Sequence, residues 1–188
     1  MRAPRESTQP GLRATIRRDA LRFLDPHCRK PITKRRLVLL AISPEFRLVV
    51  QFRVYTWLAD RGVRWLAYFL YAGARSRSAC DLALGARIGP GMRIEHRTDV
   101  VVGPYAVIGE DVYLFNGVTI GKRRPLDDDA MATIGDRVML GSGAKVLGGV
   151  HIGSDAVIGA NAVVVDDVPA GATVVGSPAV EVSARAAR

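Results

Sequence analysis

Between Asp81 and Val164 the sequence repeats with a period of six. An aliphatic residue recurs at Leu82, Ile88 and Ile94, then at Val102, Ile108, Leu114 and Ile120. It resumes at Ile134, Leu140, Val146, Ile152, Ile158 and Val164. Such a period matches neither the 3.6-residue turn of a helix nor the alternation of a simple strand. It is the signature of a hexapeptide β-helix, a solenoid in which each coil is sealed by its neighbours. The periodic aliphatic fills the narrow interior. Small residues four positions on (Ala106, Val112, Val118, Val138, Ala144, Val150, Ala156, Ala162) also point inward, with Gly or Asp at the corners.

Two places violate the period. From Ile94 to Val102 the step is eight, so two residues are inserted beside His96. From Ile120 to Ile134 it is fourteen, so a loop is extruded over residues 122–133 (KRRPLDDDAMAT). Each break taken alone reads as a tolerated surface insertion. Two breaks in so regular a repeat, one of them carrying a histidine, read as an active site.

The residues before the repeat follow another grammar. Residues 1–36 form a basic segment rich in Arg, Pro, Ser and Thr, with its first twenty or so residues expected to be poorly ordered. Residues 37–80 are spaced as helices. Leu37, Leu40, Ile42, Phe46, Val49, Val50, Phe52 and Val54 carry the pattern, and Ser43 before Pro44 and Glu45 predicts a helix start. Gly62 is the expected stop, with a second helix from about Val63. The β-helix is assigned to residues 81–180 and a tail to 181–188. The fold class expected is mainly β, a parallel β-helix preceded by a small α-helical region.

Composition narrows the function classes. With 48% hydrophobic residues, disorder of the whole chain is excluded. Cys28 and Cys80 form no CxxC pair and no metal-like cluster, which suits a reducing cytosol and predicts no bound metal. No apolar stretch follows the early arginines, so no secretory signal is expected. The run Trp65–Ala74 is too short to span a bilayer, which takes about 20 residues.

The net charge of +9 is unevenly placed. Residues 1–80 hold 17 Lys and Arg against 5 acids, a net +12, and residues 81–188 hold 10 against 13, a net −3. Solvated helical surface is the commoner fate of such charge. The alternative is a footprint for an anionic partner: a membrane surface touched peripherally from the cytoplasm, a phosphorylated carrier, or nucleic acid. No nucleic-acid motif accompanies the charge, so nucleic acid is not expected.

The run GARIGPGMRIEHRTDVVVG, followed by GVTIG and IGDRVMLGSGAKVLGGVHIGSDAVIGANAVVVDDVPAGATVVGSPA, resembles the serine acetyltransferase family of hexapeptide acyltransferases over roughly residues 80–180. The resemblance implies a left-handed β-helix, a homotrimer, and acetyl-CoA as the donor for acetylating a hydroxyl. It makes His96 the catalytic base and Asp81 the carboxylate that orients it. Three sides of six residues make about 18 residues per coil, which would stack positions 76–81 beside 94–99. The competing role for Asp81 is that of a corner aspartate, as expected for Asp111 and Asp155.

The resemblance also places acetyl-CoA in a groove between subunits, over Gly121, Lys122, Ser142, Ala160 and Ser177. These residue types suit tight corners in any case. Glu95 and Arg97, beside the histidine, and Arg123 and Arg124 in the loop are the substrate-facing candidates. The arginines are suited to a carboxylate-bearing acceptor.

Two departures bear on that acceptor. Serine-specific members carry Asp-Arg-His-Pro in the extruded loop, which falls here on Asp129, Ala130, Met131 and Ala132. The helical region ahead of the repeat is also short. Both departures resemble the family's polysaccharide branch and favour a glycan hydroxyl over serine, with serine as the alternative. A non-catalytic trimeric scaffold is the remote third reading, opposed by the presence of His96, Asp81 and the GSPA tail.

Overall fold

In a computed structural model, residues 10–25, 33–124 and 130–182 are described. Four helices precede the repeat: α1 (Leu12–Leu24), α2 (Lys34–Ile42), α3 (Pro44–Asp60) and α4 (Arg64–Arg77). The Ser43 hydroxyl caps α3 by accepting from Phe46 N at 3.3 Å and donates to Glu45 at 2.8 Å. Gly62, at φ 81°, ends that helix, with Gly62 N on Ala59 O and Val63 N on Leu58 O, both at 3.0 Å.

Helix α1 corrects an expectation, because it lies in the stretch read as poorly ordered. Its anchor is long-range. Asp19, fully buried, accepts from Arg53 at 2.9 and 3.1 Å and from the backbone N–H groups of Gly91 (2.8 Å) and Met92 (3.1 Å). Arg53 also donates to Ile88 O (2.5 Å) and Gly89 O (2.7 Å). One ion pair thus joins α1 and α3 to the first coil. Val49, Phe52, Tyr55 and Met92, all nearly or fully buried, fill the junction.

The repeat winds a three-faced parallel β-helix. The first face stacks Cys80–Leu82, Val100–Val102, Thr119–Gly121, Lys145–Leu147 and Val163–Val164. The second stacks Arg87–Ile88, Val107–Ile108, Thr133–Ile134 and His151–Ile152. The third stacks Arg93–Ile94, Tyr113–Leu114, Met139–Leu140, Val157–Ile158 and Thr173–Val175, and Val180–Glu181 adds antiparallel at its end. Every periodic aliphatic from Leu82 to Val164 is buried. So are the eight small residues Ala106, Val112, Val118, Val138, Ala144, Val150, Ala156 and Ala162. Asp111 and Asp155 occupy corners in the left-handed region, as expected, at φ 56° and 63°.

A third break was not anticipated. After Ile152 the second face is continued by Val168 and not by a residue 18 positions on, and on the third face Ile158 pairs with Val174. Each step is 16 residues, so the last coil is two residues short. Asp167 covers the shortened corner, accepting from His151 N at 2.7 Å.

The corners stack so closely that one methyl group matters. A Cβ on Gly135 would stand 2.6 Å from Ser154 N and 2.9 Å from Ser154 Cα. Backbone cannot swing away as a side chain can, so Gly135→Ala is expected to cost about 1–3 kcal/mol. Its melting temperature should fall by about 2–4 °C per kcal/mol. An unchanged melting curve would show that the coils are more loosely stacked than described.

Candidate active site

The first break forms the edge between the third and first faces. His96 is exposed and holds a left-handed backbone at φ 54°. Other non-glycine residues in that region, Asp99, Tyr105, Asp111, Arg137, Asp155 and Asn161, keep the spacing of regular corners. Among the described residues His96 alone of the non-glycines falls outside it, at a cost of about 1–3 kcal/mol. The turn is closed by Thr98 N on His96 O (2.6 Å) and held by Asp99 N on Ala79 O (2.7 Å) and Gly117 N on Thr98 O (2.8 Å).

Glu95 is half-buried and engaged. It accepts from the Arg93 guanidinium and, at 2.9 Å, from the Tyr113 hydroxyl. Burial first, then this bond to Glu95, push the Tyr113 phenol up to about 12, so it stays a proton donor at neutral pH. Arg93 lies over the Tyr113 ring at 5.1 Å and the Phe23 ring at 5.6 Å, which ties α1 to the wall beside His96.

Asp81 is not where an 18-residue coil would put it. The two residues inserted beside His96 lengthen the first coil to 20, so Asp81 pairs in register with Val101. Its carboxylate is held from α4. Oδ1 accepts from the Tyr71 hydroxyl at 2.7 Å, and Oδ2 pairs with Arg75 Nε at 3.2 Å. Among the described residues no hydrogen bond or ion pair joins Asp81 to His96. Partial burial, and then the bond to Asp81, raise the Tyr71 pKa above the usual phenol value. Tyr71, Arg75, Arg93 and Tyr113 were not foreseen. Tyr113 stands one coil above Arg93 in register, a relation visible only once the 20-residue step is known.

The donor-site candidates divide between two edges of the prism. Ser142, Ala160 and Ser177 lie on the His96 edge, stitched by Gly143 N on Asn116 O (2.8 Å), Asn161 N on Ser142 O (2.8 Å) and Val163 N on Gly176 O (2.9 Å). Gly121 and Lys122 lie on the edge between the first and second faces, where Gly148 N meets Gly121 O at 2.9 Å. Arg97, half-buried, accompanies His96, whereas Arg123 and Arg124 are exposed on the other edge. One protomer therefore does not gather all the predicted groups.

The extruded loop leaves from that other edge, and Asp129 lies outside the described residues. Its returning arm packs on its own coils. Met131 is nearly buried, with Cε 2.5 Å from where a Gly103 Cβ would stand, and Ala130 lies against Gly149. These glycines make room for the arm.

A short-stranded parallel prism with an exposed, strained histidine on one edge defines a hexapeptide-repeat transferase. The family model for bacterial transferase hexapeptide (six repeats) matches residues 131–166. The serine acetyltransferase of Mycobacterium tuberculosis is 42% identical over 150 residues, covering 80% of this chain and 66% of that protein. That of Helicobacter pylori is 38% identical over 149 residues, covering 79% of this chain and 87% of that protein. A soybean serine acetyltransferase complexed with serine superposes with a TM-score of 0.81 at 37% identity, covering 94% of this chain and 71% of that one. The chain belongs to the serine acetyltransferase family, whose handedness its prism shares. It spans about half the length of the Escherichia coli relative, 49%.

Proposed function

We infer that the chain is an acetyl-CoA-dependent O-acetyltransferase that acetylates the hydroxyl of serine. The observation that carries this reading is the line of the His96 edge. From His96 past Ser142 and Ala160 to Ser177 it climbs four coils, about 19 Å at ordinary strand spacing. That is the reach of an extended pantetheine arm laid over small corner residues, with its thioester at the histidine. The relatives above are serine acetyltransferases, and one of the matched structures is a complex with CoA. Serine therefore fits better than the glycan acceptor that the loop sequence favoured.

A hydroxyl is a poor nucleophile. The neutral His96 imidazole takes its proton as the oxygen attacks the thioester carbonyl. The C–S bond then breaks, and the departing sulfur recovers the proton from the imidazolium, leaving an O-acetyl ester and free CoA thiol. Asp81 holds the imidazole tautomer. An ionised carboxylate offers about four lone-pair sites, so the bonds to Tyr71 and Arg75 leave capacity for a ring N–H. Catalytic hydrogen bonds often tighten only when substrate is bound.

The assembly in this reading is a homotrimer. Threefold packing sets the Gly121–Lys122 edge of one subunit, with Arg123 and Arg124, against the His96 edge of the next, so the donor groove closes between subunits. One observation favours a second acceptor. Met131 turns inward onto Gly103 at the position where the sequence resemblance places the loop histidine of serine-specific members, which leaves a glycan hydroxyl as the competing substrate. Release of CoA thiol measured with L-serine, L-homoserine and a set of mono- and disaccharides separates the two. Turnover with L-serine above every sugar is expected. Transfer to a sugar and to no amino acid would overturn the serine assignment while leaving the chemistry intact.

A further inference from the structure

We propose that the outer face of α4 docks the protein on an anionic phospholipid surface. On that helix Trp65, Tyr68 and Phe69 are 75%, 64% and 70% exposed. They lie within about 100° of one another around the helix, at i, i+3 and i+4, with Ala72 continuing the strip. The opposite side of α4 is the packed one, with Ala67 and Ala74 buried and Tyr71 reaching Asp81. Beside the strip, α3 and α4 enclose an apolar groove of about 470 Å³ lined by Val50, Val54, Phe69, Leu70 and Ala72. No helix among the described residues is long and apolar enough to cross a membrane.

The charge chooses the occupant. Residues 60–80 carry Arg61, Arg64, Arg75 and Arg77 against the single acid Asp60. The apolar residues Leu37, Val38, Leu39 and Ile42 of α2 are also exposed and follow Lys34, Arg35 and Arg36. The whole segment 1–80 is +12, so a second copy laid on this face would bring like charge against like charge. Aromatic rings flanked by arginine are instead the composition of a helix lying at a headgroup boundary. The rings enter the acyl margin while the guanidinium groups meet the phosphates. Because the inner side of α4 holds Asp81, docking would set the His96 edge close to the bilayer. The inference does not depend on which acceptor the enzyme uses.

The test uses the full chain and two lipid mixtures. Sedimentation with phosphatidylcholine–phosphatidylglycerol vesicles at low salt is expected, with none on phosphatidylcholine alone and release at high salt. Removing two basic groups from an anionic surface weakens the attraction, so Arg61→Ala with Arg64→Ala should weaken partition by about tenfold. Trp65→Ser with Phe69→Ser should abolish partition while CoA release with soluble acceptors is unchanged. In a Trp57→Phe background, Trp65 emission should shift to the blue on binding anionic vesicles. Failure to sediment at low salt, equal binding by the Trp65–Phe69 variant, or a larger assembly of wild type than of that variant by light scattering would each overturn the proposal. The last result would assign the face to a second copy.

Discussion

His96→Asn is expected to leave the fold intact and to remove about two to four orders of magnitude from kcat, the usual contribution of a positioned general base. Asparagine is the informative replacement. Position 96 holds a φ of 54°, a region that asparagine tolerates better than most residues, so the variant adds no new backbone strain. The loss then reports chemistry alone, about 3–5 kcal/mol of transition-state stabilisation. Asp81→Asn should cost less, because Tyr71 and Arg75 still hold the side chain near its place. Loss of the orienting carboxylate of a catalytic triad is also milder than loss of its base. Circular dichroism and light scattering on each variant separate folding from catalysis. Near-wild-type CoA release by His96→Asn would remove the histidine from the mechanism and leave the break a surface insertion.

The interior of the β-helix was legible because it is written locally. A buried aliphatic at every sixth position and a small residue four further on specify the cross-section. Outside the two breaks, the aliphatics from Leu82 to Val164 and the small residues from Ala106 to Ala162 obey that rule in space as in sequence. Register was harder, since it is set by the number of residues between matching strands. The insertion beside His96 is visible in the sequence, but an 18-residue coil carried across it sets Asp81 against position 99, two positions from its partner Val101. The four-residue step from Val164 to Val168 escaped because it comes where the aliphatic pattern stops being regular. The division of Gly121 and Ser142 between two edges is a property of the winding, and no local motif reports it. The groups around Asp81 and Glu95 come from α4 and from the next coil, and partners of that kind leave no periodic trace.

The same limit hid α1, and the pair that orders it carries the largest expected stability effect. Asp19 lies between Arg53, 34 residues on, and the backbone of Gly91 and Met92, more than 70 residues on. Removing its carboxylate strands a guanidinium that is 6% exposed and orphans two buried N–H groups. Breaking a buried pair from one side costs about 3–5 kcal/mol, since the remaining charge stays desolvated. Asp19→Ala should therefore lower the melting temperature by about 10 °C or more. Arg53→Met should do the same by releasing α3 from Ile88 and Gly89. The double variant should lose less than the sum, because neither charge is left alone. Activity should decline with stability, since the coil they brace at Ile88–Met92 runs directly into the Glu95–Asp99 turn. A melting temperature for Asp19→Ala within about 2 °C of wild type would mean that α1 is dispensable and that apolar packing alone seals the base of the β-helix.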